Sequence, residues 1–246
     1  MERSGSDGRG SVDPMTSHDV TDRQLPRGAG SAAEVPPVPA ASVILLRDSP
    51  LEVLMIRRHA KSTFIPDAWV FPGGVVEASD YDLGDGTELG TMRVAAAREL
   101  FEESGIWLGA PLDDADAKRR ALLAGEITFA TLVSESPLDF KQLVWTSRWI
   151  TPIGVPKRFD TYFFLAAAGR DAIASAENVE AVEVTWIAPS EAIDKLQIVF
   201  PTLKNLEAIA GFSSTSELLA SRRGVEIATT RPVLVVEDGR KKIILP

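Results

Sequence analysis

The chain has no cysteine and only two histidines, His18 and His59, among 246 residues. Without thiols there is no disulfide framework, no thiolate nucleophile and no cysteine-based zinc site. The histidines lie far apart in sequence, which argues against a histidine-based triad or zinc site. Positive charge is also scarce. Lysine and arginine number 26 against 35 acidic residues, a formal net charge of -9, so nucleic acid and anionic membranes are poor partners on electrostatic grounds. No apolar run approaches the ~20 residues of a membrane span, and the N-terminus lacks the apolar core of a secretory signal. The chain closes on Ile244-Leu245-Pro246, with no peroxisomal tripeptide. A cytoplasmic location is the resulting expectation.

What is present reads as one globular domain behind a tail. Residues 1–39 are rich in Gly, Ser, Pro, Asp and Arg and lack hydrophobic periodicity. Such a stretch cannot bury enough apolar area to offset the entropy of ordering it, so a disordered tail is expected. From residue 40 to 246 the hydrophobic pattern becomes regular. Ala41 to Leu46 and Leu51 to Arg57 are β-rich runs around an Arg47-Asp48-Ser49-Pro50 turn, and Arg158 to Ala166 carries the strongest strand signal. Helical patterns cover Asp113 to Ala124, Thr128 to Ser134, the stretch after Pro189 and Thr202 to Leu219; the chain ends in a hairpin around Glu237-Asp238-Gly239-Arg240. Strands interrupted at irregular intervals by helices imply an α+β class, a mixed sheet between helices.

The chemistry concentrates between Phe71 and Ile106. Phe71-Pro72-Gly73-Gly74 forms a turn whose glycines permit close backbone approach. An acidic loop follows, expected to be a solvated insertion, and then a helix from near Met92 to Gly105. Glu99, Glu102 and Glu103 sit at i, i+3 and i+4, so three carboxylates share one face. Like charges so close repel, whereas oxygen-rich clusters suit hard divalent cations such as Mg2+ or Mn2+. Val94, Ala97, Leu100 and Phe101 supply the opposite, core-facing side.

The turn, the run Arg98-Glu99-Leu100-Phe101-Glu102-Glu103-Ser104-Gly105-Ile106 and its spacing resemble the Nudix box, Gly-x5-Glu-x7-Arg-Glu-U-x-Glu-Glu-x-Gly-U with U aliphatic. The second half matches throughout. The first half does not: Gly74 and Arg98 are 24 positions apart, where the pattern has 14, so ten residues are added. Counting forward from Gly74 puts Asp80 at the first glutamate position, and counting back from Arg98 puts Gly90 there.

The resemblance implies an α/β/α sandwich with a mixed sheet and a loop-helix-loop site, a Mg2+- or Mn2+-dependent hydrolase, and cleavage of a pyrophosphate linkage in a small nucleotide-type substrate. It implies Glu99, Glu102 and Glu103 as metal ligands, Glu103 or Glu180 as general base, with Glu177 and Glu183 as competitors, and Arg98 as the residue that fixes the carboxylates. Arg58, Gly73, Gly74 and Arg158 are the candidate substrate-binding residues, and a homodimer is the oligomeric state that goes with the family. The runs from Arg57 to Val76 and from Arg158 to Phe164 are similar to the branch of the family that contains a peroxisomal coenzyme A diphosphatase and carries an insertion inside the box. Coenzyme A or an acyl derivative is therefore one expected substrate. NADH, ADP-ribose, a nucleoside triphosphate, or binding without cleavage are the alternatives.

Overall fold

The computed structural model describes residues 17–20, 24–26, 28–30, 33–60, 62, 65–176, 181–237 and 240–245. Its strands are β1 (Ser17–Val20), β2 (Val38–Arg47), β3 (Glu52–Arg58), β4 (Trp69–Val70), β5 (Gly73–Val75), β6 (Val144–Ile150), β7 (Phe159–Ala167), β8 (Ala181–Ile187), β9 (Thr229–Thr230), β10 (Val233–Glu237) and β11 (Arg240–Ile244). Its helices are α1 (Ala78–Leu83), α2 (Glu88–Ser104), α3 (Ala115–Leu123), α4 (Phe129–Glu135), α5 (Pro189–Lys195), α6 (Phe200–Ile209) and α7 (Thr215–Arg222).

The main sheet runs β4-β3-β2-β7-β6-β9, with β5 added to β2 and β8 to β3. It is mixed: β2 and β7 pair in parallel over Val38 to Leu46, while β3, β5 and β6 pair antiparallel to their neighbours β2 and β7. The period of two along the central strands sorts side chains onto opposite faces. Ile44 and Leu46 of β2, Val53 and Met55 of β3, and Phe163 and Leu165 of β7 enter a core shared with Phe200 and Leu206 of α6 and Leu218 of α7. Val43, Leu45, Leu54, Tyr162 and Phe164 enter the other, shared with Val94, Ala97, Leu100 and Phe101 of α2 and with Phe129 and Leu132 of α4. The result is the expected α/β/α sandwich. β7 is the paired central strand its aromatic run implied.

Two expectations need correction. Ser17–Val20, inside the supposed disordered tail, is a strand that pairs antiparallel with β11 in a second, three-stranded sheet, β1-β11-β10. Val20, Leu25 and Ala29 are buried with the main core, so scattered apolar residues find a partner in the C-terminal hairpin even without periodicity. The acidic loop is also not simply solvated. It folds into α1 and the first turn of α2, which begins at Glu88, earlier than Met92. Thr87 caps that helix by accepting from the Gly90 amide at 3.0 Å. A Cβ on Gly90 would lie 2.0 Å from an oxygen of Asp85, so glycine serves the packing of the insertion against the helix.

Candidate active site

Strand β2 sets the position of the glycine turn. Ser42 and Ala41 lie opposite Gly73 and Gly74 in the β2–β5 register, and the Ser42 hydroxyl donates to the Pro72 carbonyl at 2.8 Å. A Cβ on Gly73 would fall 2.4 Å from the Ala41 carbonyl oxygen. On Gly74 it would fall 2.4 Å from a carboxylate oxygen of Glu99. The second glycine thus makes room for a side chain of α2.

Arg98 is the hub. Its side chain is only 3% exposed, and its guanidinium forks onto the Asp80 carboxylate, with Nε to Oδ1 at 2.9 Å and Nη2 to Oδ2 at 3.0 Å. Nη1 donates to Glu99 at 2.9 Å and Glu102 at 3.2 Å, and Nη2 also to the Val75 carbonyl at 2.9 Å. Burial works against the charge on Arg98, but the bond to Asp80 and the fields of Glu99 and Glu102 outweigh it and hold its pKa above the ordinary arginine value. Asp80 is equally buried and accepts from the Glu77 amide at 2.8 Å. The forward count from Gly74 therefore finds the residue that faces Arg98, and Gly90 stands instead against the insertion. Glu77, largely exposed, stands 4.0 Å from Arg98 Nη1.

Of the three helix carboxylates, Glu103 is buried and accepts from the Gly73 amide at 2.8 Å. Burial pushes the Glu102 pKa up, against the pull of Arg98. Among the described residues no three acidic or histidine side chains stand as a ready-made metal cluster; Arg98 bonds Glu99 and Glu102, and the Gly73 amide bonds Glu103. The donor chemistry nonetheless fits a hard cation. A positive group already stands between Glu99 and Glu102, and each carboxylate offers two oxygens, about four lone-pair sites. The helix ends at Gly105, whose φ of 74° is left-handed and whose amide returns to the Phe101 carbonyl at 2.9 Å.

Beside the turn lies a cavity of about 200 Å3, lined by Arg58, Phe71, Gly73, Gly74, Trp149, Phe159 and Phe200 among others. Arg58 is held by Ser62 at 2.9 Å. Arg158 is not among its lining residues. It is buried, donating to the Thr151 and Val35 carbonyls at 2.9 and 2.8 Å, bonds that tie loop to strand. Of the aromatics nearby, Tyr162 is a buried core residue, while Trp149, also buried, and the half-buried Phe159 both line the cavity. Glu183 pairs with Arg57 at 3.1 Å on the β3–β8 ladder. Glu180 and Glu177 lie outside the described residues.

The site thus combines a glycine turn, a buried arginine hub and a helix face of glutamates in a mixed-sheet sandwich. The chain belongs to the Nudix family: the model for the NUDIX domain matches residues 36–206. It is 33% identical over 162 residues to a Caenorhabditis elegans protein named putative nudix hydrolase 7, covering 63% of this chain and 53% of that one. It is 28% identical over 239 residues to the acyl-coenzyme A diphosphatase NUDT19 of Xenopus laevis, covering 69% of this chain and 62% of the other. The matches thus span about half to three-fifths of those relatives. The crystal structure of a NUDIX hydrolase from Alicyclobacillus acidocaldarius superposes with a TM-score of 0.69 at 23% identity, covering 76% of this chain and 97% of that one, which bears on the fold alone.

Proposed function

We propose that the protein is a divalent-metal-dependent pyrophosphohydrolase acting on a nucleotide-type substrate of the coenzyme A class. The observation that carries this reading is the Arg98 hub, which gathers Asp80, Glu99 and Glu102 while the Gly73 amide holds Glu103. A protein needing only a stable helix gains little from several carboxylates and a buried guanidinium on one face. Glu99, Glu102 and Glu103 would hold the ion, with Mg2+ or Mn2+ as the hard cations suited to them. When bound, such an ion neutralises pyrophosphate oxygens and makes a water more acidic.

The chain's own residues do the rest. Arg98 fixes the glutamate side chains, and the Gly73-Gly74 backbone allows a phosphate to approach α2 closely. Arg58 places positive charge on the cavity wall near that turn. Water adds to phosphorus, its proton passes to a carboxylate, and the second phosphate leaves. Glu103, oriented by the Gly73 amide, and Glu180 are the bases proposed for that proton. The cavity offers an apolar compartment for the non-nucleotide arm of the substrate, and the NUDT19 similarity agrees with coenzyme A or its acyl esters.

Incubation with coenzyme A, an acyl-coenzyme A, NADH, ADP-ribose and nucleoside triphosphates, each with Mg2+ or Mn2+, tests this directly. Release of 3',5'-ADP from the coenzyme A substrates, abolished by chelator and by Glu102→Gln, is the expected result. Tight binding without product under either metal would overturn it in favour of a nucleotide sensor.

A further inference from the structure

Arg119, on α3, is completely buried, and the Nudix pattern has no place for it. Its guanidinium sits behind the carboxylate face, at the C-terminal end of α2. Nε and Nη2 both donate to the Glu102 carbonyl, at 3.0 and 2.9 Å, while Nη1 reaches the Ser175 hydroxyl at 2.9 Å and Nη2 the Ser175 carbonyl at 3.0 Å. The Ser175 amide in turn donates to the Ser104 carbonyl at 3.0 Å. A Cβ on Gly105 would lie 3.1 Å from Nη1, so the glycine that ends the helix also leaves room for this group.

The last carbonyls of a helix have no partner within it and carry the negative end of its dipole. Water or a surface lysine could satisfy them at little cost. A fully buried arginine is an expensive alternative unless its donors are well placed, and apolar packing of similar volume commonly stabilises a fold as well or better. What the guanidinium achieves that apolar packing cannot is to grip one particular carbonyl. That carbonyl belongs to Glu102, whose side chain meets Arg98 from the front and whose neighbour Glu103 meets the Gly73 amide. The two arginines hold the same turn from opposite sides.

We infer that Arg119 is a positioning residue that locks the last turn of α2 to the segment at Ser175 and thereby sets Glu102 and Glu103 for the metal and the pyrophosphate. The inference rests on the hydrolase reading above. Its test compares Arg119→Met, Arg119→Lys and Ser175→Ala in the full chain by unfolding midpoint, by Mn2+ affinity from the paramagnetic resonance of free Mn2+, and by kcat and KM on the best substrate. In folded Arg119→Met, Mn2+ affinity and kcat each fall about 10- to 100-fold, as for partners that orient metal ligands, while KM changes far less. Arg119→Lys, which keeps the charge and a donor, recovers part of both losses. Ser175→Ala, which removes one acceptor and leaves the carbonyl, shifts both the same way by less.

A merely structural arginine lowers the midpoint and leaves the folded fraction with Mn2+ affinity and kcat within about twofold of wild type, the scatter of uncoupled sites; that result overturns the inference. Should Arg119→Met fail to fold, the same outcome in both Arg119→Lys and Ser175→Ala overturns it equally. A wild type that binds Mn2+ yet hydrolyses no pyrophosphate defeats the hydrolase reading, and Mn2+ affinity still decides the role of Arg119.

Discussion

Asp80 and Arg98 form a doubly hydrogen-bonded pair with both side chains almost fully enclosed. Breaking such a pair from one side strands a charge, which typically costs about 3–5 kcal/mol. Asp80→Ala should therefore lower unfolding free energy by that order in a denaturant titration, and release Arg98 to bind Glu99 and Glu102 more tightly at the expense of the metal. Gly74→Ala tests the opposite side of the site. The three atoms nearest its added methyl all belong to the Glu99 carboxylate, so the loss should fall on catalysis: kcat down on the order of 10²-fold, the scale of a 1 Å misplacement, with a small change in melting temperature. An unchanged kcat in that variant would mean that Glu99 does not act from its present place. Part of this was legible in sequence: the glutamates could be placed on one helix face from their spacing, and Arg98 paired with them from the resemblance to the Nudix box. Arg158 was not. A polar side chain at a strand start looks the same whether it meets a substrate or the carbonyls of Thr151 and Val35.

At the scale of elements, α2 is tied to the sheet at its N-terminal end as well. The Tyr162 hydroxyl on β7 donates to Glu88 at 2.9 Å, the Arg148 guanidinium lies 4.4 Å from the Tyr162 ring centre, and Arg148 forks onto Asp160. Burial and the bond to Glu88 raise the Tyr162 pKa above its ordinary 10.0. A group that keeps its proton more firmly when folded adds stability that is complete below the unfolded pKa and fades as pH rises through the folded one. Wild type should thus lose stability from about pH 10 upward more steeply than Tyr162→Phe, measured as melting temperature against pH. Parallel curves for the two proteins would show that the hydroxyl carries no such linkage. The first turn of α2 escaped sequence reading because Gly90 resembles a helix breaker, and its reason for being glycine, the contact with Asp85, exists only in three dimensions. The last turn was readable from Gly105, whose left-handed conformation is a local property.

For the whole molecule, the β1-β11-β10 sheet joins the N-terminal region to the C-terminal hairpin. Burial of Val20 and Leu25 contributes roughly 1.5–3 kcal/mol per side chain, so deleting residues 1–30 should destabilise the fold by about 3 kcal/mol or more and leave an edge of β11 open to association. Calorimetry and light scattering on the truncated chain would reveal both, and a truncation with unchanged melting temperature would show that β1 adds nothing. Tail composition hid this strand, since four residues carry too little periodicity to register and the pairing is with the far end of the chain. The α+β class was legible in sequence from apolar strand runs interrupted by helical patterns, and the sandwich was what the resemblance to the Nudix box implied; which residue of each unbroken apolar run enters which core is visible only in the fold.

The ten added residues fall between Asp80 and Arg98, inside an ion pair and yet outside the space it encloses. Gly86, at the exposed tip of the addition, has a φ of 79° and no atom within 4 Å of where a Cβ would stand. The site is thus assembled from two anchored ends joined through a folded addition whose exposed tip lies at Gly86, and lengthening a loop at such a tip is cheap, about 0.6 kcal/mol for each doubling. This makes the tip a port for engineering: a short Gly/Ser stretch carrying a fluorophore-bearing cysteine, unique in a chain without thiols, inserted beside residue 86 should leave kcat and metal affinity near wild type.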